Sequence, residues 1–394
     1  MKETDNGTVS VLLIGIGGYG TTYLQELTEN NDTAVKIAGV CDIMPDINER
    51  FPVLEQMQIP VYRTLEAFFE AQRADLAVIS SPIHLHYEQV KICLRSGANV
   101  LCEKPICTGS GGARELIRLE QESGCFVAVG YQLNYSGEVR QLKEDILAER
   151  FGPPVRMKVL HGLCRGSGYY KRNNWAGKIT VNGCKVNDSP FNNACAHQFQ
   201  NMTFLLGKSG DDAMDIKEVS AELYRVNPEV ENYDTAAICA VTAQGTPLYY
   251  YTSHNLPAKS TGPLCEYEFE KATIYYGKDF GTGPVNKYVA VCEDGTRLIY
   301  ESPPGSRRLQ KLYDAITCIR QGGHPVCTIR CAIPHLETVE RLSELPVHPI
   351  NPQYLEPSEE DGEQYYYIRG GTETLQSCYL NRKMPSEIGA DWKK

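Results

Sequence analysis

The chain has 394 residues, 42% of them hydrophobic and 22% charged, and a formal net charge of −10. That length is more than one hydrophobic core usually organises, so two domains are expected, and the ordinary globular composition excludes disorder throughout. The acidic balance disfavours non-specific nucleic-acid binding, and no apolar run is long enough to span a bilayer. The polar opening Met1-Lys2-Glu3-Thr4-Asp5 does not read as an export signal, so a cytoplasmic protein is expected. Fifteen cysteines, odd in number and scattered, with Cys41, Cys93 and Cys102 inside strand-like or helical runs, read as reduced, buried thiols. Cys327 and Cys331 lack the histidine spacing of a zinc site, and no metal is expected.

In chain order, Val9 to Ile14 is a short apolar strand, followed at once by Gly15-Ile16-Gly17-Gly18-Tyr19-Gly20 and then by helical spacing over Thr21 to Thr28. Strand, tight turn and helix in that order suit a dinucleotide. Gly15 permits the turn, Gly17 lets backbone amides approach a pyrophosphate, Gly20 lets the helix pack closely, and the helix N-terminus offers its free amides to the phosphates. A second apolar run, Ala34 to Cys41, ends in Asp42, 22 residues after Gly20. A carboxylate there accepts hydrogen bonds from a ribose diol and repels a 2′-phosphate, which favours NAD over NADP.

Strands and helices continue to alternate: Leu76 to Ser80, helix His84 to Arg95, Asn99 to Cys102, helix Ala113 to Ser123, and Cys125 to Gly130. The pattern predicts a parallel, doubly wound sheet. Ligands of such a sheet sit beyond the carboxyl ends of its strands, where both Ser81-Pro82-Ile83-His84-Leu85-His86 and Glu103-Lys104-Pro105 fall.

Farther on, Asp188-Ser189-Pro190 reads as a helix start with Ser189 as N-cap, after which Asn193, His197 and Asn201 share one face at i, i+4 and i+8. Phe199, Met202 and Leu205 mark the buried face. The preceding segment holds Arg165, Tyr169, Tyr170, Lys171, Asn174, Trp175 and Lys178, flat aromatic surfaces mixed with polar donors, which suits a sugar or cyclitol ring or, equally, a loop that packs down on itself. Beyond Gly207, strand candidates at Val219 to Val226, Thr235 to Thr242, Leu248 to His254 and Tyr267 to Ala272 suit a broad antiparallel sheet, with Tyr249-Tyr250-Tyr251 as face packing. Helical patterns follow at Arg307 to Arg320 and Thr328 to Leu345, and the tail from Leu355, with Glu359, Glu360, Asp361, Gly362 and Glu363, reads as a solvated loop.

The glycine-rich turn, Asp42, Ser81-Pro82-x-x-x-His86, the run Gly97 to Pro105 and the helix carrying His197 together resemble the Gfo/Idh/MocA oxidoreductases, closely from Val9 to Tyr131 and more thinly beyond Gly207. The resemblance implies an α/β fold, with an N-terminal Rossmann doubly wound parallel sheet in residues 1–131. Residues 132–394 would form an α/β substrate-binding and oligomerisation domain with a large, mostly antiparallel sheet. It further implies a cis Lys104-Pro105 peptide, Lys104 at the reacting hydroxyl, and His197 as the proton-transferring residue. The family's acid, four residues earlier, is here Asn193, which can orient an imidazole but cannot stabilise imidazolium as a carboxylate does.

The expected cofactor contacts are Gly15, Gly17, Gly18, Tyr19, Gly20, Asp42, Ser81, Pro82, His86, Glu103 and Lys104, and the expected catalytic group is Lys104, His197 and Asn193. Substrate contacts are expected from Tyr131, Arg165, Tyr170, Trp175, Asn193 and His197, with Asn134 near the site or shaping the domain junction. The implied activity is NAD-dependent hydride transfer from a secondary hydroxyl of a sugar, sugar derivative or cyclitol, in a homo-oligomer, dimer or tetramer. A glycoside-cleaving enzyme that uses NAD transiently, a non-enzymatic sensor and an assembly protein with a relict Rossmann fold stand as alternatives.

Overall fold

The structure is a computed structural model describing residues 7–29, 34–281, 285–303 and 309–393. The opening Met1 to Asp5 and Arg307, at the start of an expected helix, lie outside the described residues. The chain divides into two compact units, Met1–Tyr135 with Gly305–Ala332, and Ser136–Pro304 with Ile333–Lys394.

The first unit is built on six parallel strands, β1 (Val9–Ile14), β2 (Val35–Cys41), β3 (Val61–Tyr62), β4 (Leu76–Ile79), β5 (Asn99–Cys102) and β6 (Val127–Val129), in the order β3-β2-β1-β4-β5-β6. Strands β1, β4 and β5 have almost no polar side chains because both faces of a parallel sheet are covered by helices. The strand order reverses direction between β1 and β4, which opens a crevice at their carboxyl ends. The late helix Gln310–Gln321 belongs here: Leu312, Ala315 and Ile316 pack into the same core as Val11, Leu13, Val78 and Leu101. A division at 131/132 assigns that helix to the second domain. Its apolar stripe instead covers the first sheet, which no local sequence signal shows.

The second unit is built on nine strands in the order Arg297–Tyr300, Tyr288–Cys292, Ala272–Tyr276, Ser260–Phe269, Pro154–Leu163, Pro247–Ser253, Thr235–Thr242, Ile216–Arg225 and Val347–Pro349. All neighbours are antiparallel except the pairs of Pro154–Leu163 with Pro247–Ser253 and of Ile216–Arg225 with Val347–Pro349. Tyr250 and Tyr251 are buried in this sheet, as face packing requires. The helix Ala196–Leu205 lies on it, with the Phe199 ring 5.8 Å from Tyr250 and 4.8 Å from Phe191.

Two expectations are corrected here. The helix does not begin at Ser189 and Pro190; residues 189–195 are turns and the helix opens at Ala196 behind Cys195. Ser189 does cap a turn, its hydroxyl accepting from the Asn192 amide at 3.1 Å, but Asn192 then donates its side chain to the carbonyls of Val186 and Asn187. Such local bonds compete with a helical ladder. The tail from Leu355 is a hairpin, Leu355–Glu360 against Glu363–Ile368, turning at Asp361 (φ 52°) and Gly362 (φ 77°). A two-residue hairpin turn needs positive φ at both positions, which Asp-Gly supplies.

Candidate active site

The first unit carries the dinucleotide elements. Gly15 has φ +77°, and a Cβ on it would stand 2.8 Å from the Ser81 backbone; a Cβ on Gly20 would stand 1.9 Å from the Gly15 carbonyl oxygen. Neither position accepts a side chain, so the turn brings β1, the helix Gly20–Glu29 and the end of β4 together by bare backbone. Thr21 fixes the helix entry by donating its hydroxyl to the Ile16 carbonyl at 2.7 Å. Gly18 meets no such constraint.

At the end of β2 the Asp42 carboxylate accepts from the Ile16 amide at 2.8 Å and from the Met44 amide at 2.9 Å, one on each oxygen. The residue therefore braces the glycine turn, and each oxygen keeps a lone pair for a ribose hydroxyl. Arg63, the cation beside it, spends its donors on the carbonyls of Asp42, Met44 and Pro45. The bare turn, the helix terminus and Asp42 fit NAD.

The segments after β4 and β5 are tied to each other. His86 is 1% exposed, with Nδ1 2.7 Å from the Pro105 carbonyl and Nε2 2.8 Å from the Ser81 carbonyl. Burial lowers its pKa. Expected as a cofactor contact, His86 is instead a brace whose two nitrogens are already engaged. The Lys104-Pro105 peptide it holds is cis. Glu103 also departs from expectation. Expected as a cofactor contact, its carboxylate instead pairs with Lys311 and accepts the Tyr23 hydroxyl at 2.7 Å. Burial pushes its carboxyl up, but Lys311, Tyr23 and Lys104 outweigh that and hold it below the usual range. Tyr19, 39% exposed, sits edge-on to Tyr23 with the Lys311 ammonium 4.9 Å from its ring centre. Tyr131 is fully buried beside Cys107 and Cys327, which takes it out of any surface that a ligand reaches. Asn134, equally buried, donates to the Cys327 sulfur at 3.4 Å and is structural.

In the second unit, His197 is half-buried in the first turn of its helix. Asn193 lies in the turn before that helix and donates its side chain to the Asp188 carboxylate at 2.8 Å. The expected stripe breaks at its far end as well: Asn201 is fully buried and donates to the Tyr288 hydroxyl at 3.0 Å. In the preceding segment Tyr170 packs down, 8% exposed, and its hydroxyl, 2.8 Å from His254 Nδ1, is engaged within the fold. Arg165 and Trp175 stay half-buried, joined through Tyr169 and Arg172 by cation–π contacts.

Sequence reasoning missed His161, whose Nδ1 is 3.0 Å from the Gln198 side-chain oxygen, and His254. Burial pushes the His161 pKa down to about 4, with Arg165 adding to the effect. His161 lies near the end of the strand Pro154–Leu163 and His254 just after its parallel neighbour Pro247–Ser253, an adjacency invisible before the sheet order is known.

Residues 9–131 match the model of an oxidoreductase family described as an NAD-binding Rossmann fold. The inositol 2-dehydrogenase/D-chiro-inositol 3-dehydrogenase of Shouchella clausii is 27% identical over 39% of this chain and 44% of its own length. The 2,7-anhydro-N-acetylneuraminate hydratase of Mediterraneibacter gnavus is 27% identical over 35% of this chain and 36% of its own. The chain thus aligns with less than half of these relatives. The WlbA dehydrogenase of Bordetella pertussis, solved with NADH and UDP-GlcNAcA, superposes over 87% of this chain and 99% of its own with a TM-score of 0.70 at 18% identity, a likeness of fold. Among the described residues no helix is long and apolar enough to cross a membrane.

Proposed function

We propose that this chain, whose N-terminal domain belongs to the Gfo/Idh/MocA oxidoreductases, is an NAD-dependent dehydrogenase that oxidises a secondary hydroxyl of a sugar, sugar derivative or cyclitol. The observation that carries the reading is the position of Lys104: it follows β5, the strand beside β4, at the carboxyl edge of an NAD-binding sheet, and His86 and Glu103 anchor the backbone on either side of it. The inositol dehydrogenase relative supports a polyol as substrate.

Bound NAD would supply the hydride acceptor. The glycine turn and the amides opening the helix Gly20–Glu29 would hold its phosphates, and Asp42 its adenosine ribose. Lys104 carries an ammonium that lowers the cost of negative charge on the oxygen being deprotonated. His197 is assigned the proton, since an imidazole is the side chain suited to exchange one near neutral pH. The resemblance carries the proposal of a homodimer or homotetramer, which sedimentation tests.

The deciding experiment incubates the protein with NAD and a panel of polyols, cyclitols and glycosides while NADH absorbance and product mass are followed together. NADH formed with a product two hydrogens lighter than the substrate supports the reading. Cleaved glycoside without NADH, or no turnover of any polyol, overturns it.

A further inference from the structure

We propose that the second unit holds a binding site for the anionic group, carboxylate or phosphate, of an acidic sugar, formed by Arg165, Arg172, Tyr169 and His254. The inference rests on the reading above that the chain binds a sugar, and it narrows the substrate from neutral polyols to acids.

The segment 165–178 treats its cations in two ways. Lys171 and Lys178 are paired with Glu229 at 3.4 Å and Glu231 at 2.9 Å. Among the described residues Arg165 and Arg172 are in no ion pair, although a guanidinium is the better fork for a carboxylate. Both are instead held against one ring, with guanidinium carbons 4.7 Å and 3.5 Å from the centre of Tyr169. Arg172 is fixed further by donating to the Tyr169 carbonyl at 2.7 Å. Stacking of this kind fixes a cation while leaving donors at its edge for a ligand.

Two buried nitrogens in the same place have no hydrogen-bond partner among the described residues. The Nε of Arg165 makes no hydrogen bond, and neither does Nε2 of His254, a residue 2% exposed. The native fold rarely leaves such groups unsatisfied without a reason, a ligand among them. In the tautomer whose Nδ1 accepts from the Tyr170 hydroxyl, 2.8 Å away, His254 presents Nε2–H as a neutral donor. Burial first, then Arg165, Arg172 and His161, hold His254 far below its ordinary pKa, so it adds a donor without adding charge. Asp188, the carboxylate whose charge reaches Tyr169, is taken up on both oxygens, by the Gly177 amide at 2.6 Å and the Asn193 side chain at 2.8 Å. It does not fill the site.

The cluster stands at the ends of sheet strands and adjoins the candidate proton-transfer helix. Arg165 and His254 follow the carboxyl ends of two paired parallel strands, and the Arg165 amide donates to the His254 carbonyl at 3.0 Å. His161, on the first of those strands, reaches Gln198, the residue next to His197.

The test is calorimetric titration of the full chain, with saturating NAD, against D-glucuronate, D-galacturonate, D-glucose 6-phosphate, D-glucose and D-galactose. At least one acid should bind tenfold or more tighter than its neutral parent, and Arg165→Gln should abolish that preference, lowering the acid's affinity at least tenfold more than the neutral sugar's. A preference for uronates identifies the anion as a carboxylate, and a preference for the 6-phosphate identifies it as a phosphate. If no acid binds tighter than its neutral parent, or the preference survives both Arg165→Gln and Arg172→Gln, the inference is overturned. The wild-type ratio of acid to neutral binding decides the matter even if a variant fails to fold. Acid binding that depends on Arg165 without NADH formation sinks the dehydrogenase reading alone, and NADH from neutral sugars with no acid preference sinks this inference alone.

Discussion

Lys311 and Glu103, 208 residues apart, form an ion pair inside the first unit, with the lysine side chain 2% and the glutamate 13% exposed. The pair anchors the helix Gln310–Gln321 to the residue preceding Lys104, and Tyr23 adds a 2.7 Å hydrogen bond to the same carboxylate oxygen. Removing one member leaves a buried charge unopposed, which costs about 3–5 kcal/mol.

Lys311→Met should therefore lower the urea midpoint strongly at neutral pH. The wild-type Glu103 carboxyl lies below its ordinary range, so the pair's contribution is present above that range and is lost as pH falls through the folded value. In the variant only Tyr23 and Lys104 oppose the effect of burial on Glu103, which takes up a proton more readily, so the deficit should shrink towards pH 4. Adding Glu103→Gln should recover most of it. An equal deficit at pH 7 and pH 4 would show that the pair carries no such charge coupling.

Asn193→Asp would set a carboxylate at hydrogen-bond distance from Asp188, which Asn193 now contacts at 2.8 Å. Two carboxylates that close resist joint ionisation, so one should titrate high. Stability should fall at pH 7 and recover as pH drops, whereas Asn193→Ala should lose about 1 kcal/mol at either pH. Parallel behaviour of the two variants would mean that the Asp188 contact is absent.

His161 should make the second unit sensitive to acid. Burial, the largest cause, holds its pKa at about 4, while an unfolded histidine titrates near ~6.5. The unfolded state takes up the proton first, so this residue's contribution is complete above ~6.5 and is lost as pH falls towards about 4. Urea midpoints measured across that window should fall less steeply in His161→Gln than in the wild type, and identical slopes would rule the residue out.

NAD should bind at least ~1.4 kcal/mol, or tenfold, tighter than NADP, because Asp42 accepts from a diol and opposes an added phosphate. Calorimetric titration of both cofactors checks this, and equal or tighter NADP binding would remove Asp42 from the ribose site.

The first unit was legible in the sequence because its signals are local. Strands β1 and β5 stand where the apolar runs Val9–Ile14 and Asn99–Cys102 placed them, and Gly15 and Gly20 have the steric reasons given for them. The second unit was less so. The central strand Pro154–Leu163 is defined by its partners on both sides, and the hairpin at Asp361-Gly362 carried a readable turn signal that the surrounding acidic residues obscured. Asn193 and His197 kept the spacing of helical neighbours, but turn hydrogen bonds from Ser189 and Asn192 delay the helix to Ala196. Partnerships such as Lys311 with Glu103 or His86 with Pro105 join distant segments, and only the folded chain brings them together.

The most direct measurement of the central claim is single-turnover NADH formation by Lys104→Ala with a substrate found in the panel, alongside NAD affinity and melting temperature. A lysine acting in the transition state predicts a rate lower by roughly 10²-fold or more, with NAD affinity and melting temperature nearly unchanged. Normal NADH formation by that variant, or a loss of rate explained by unfolding, would contradict the assignment of Lys104 to the chemistry.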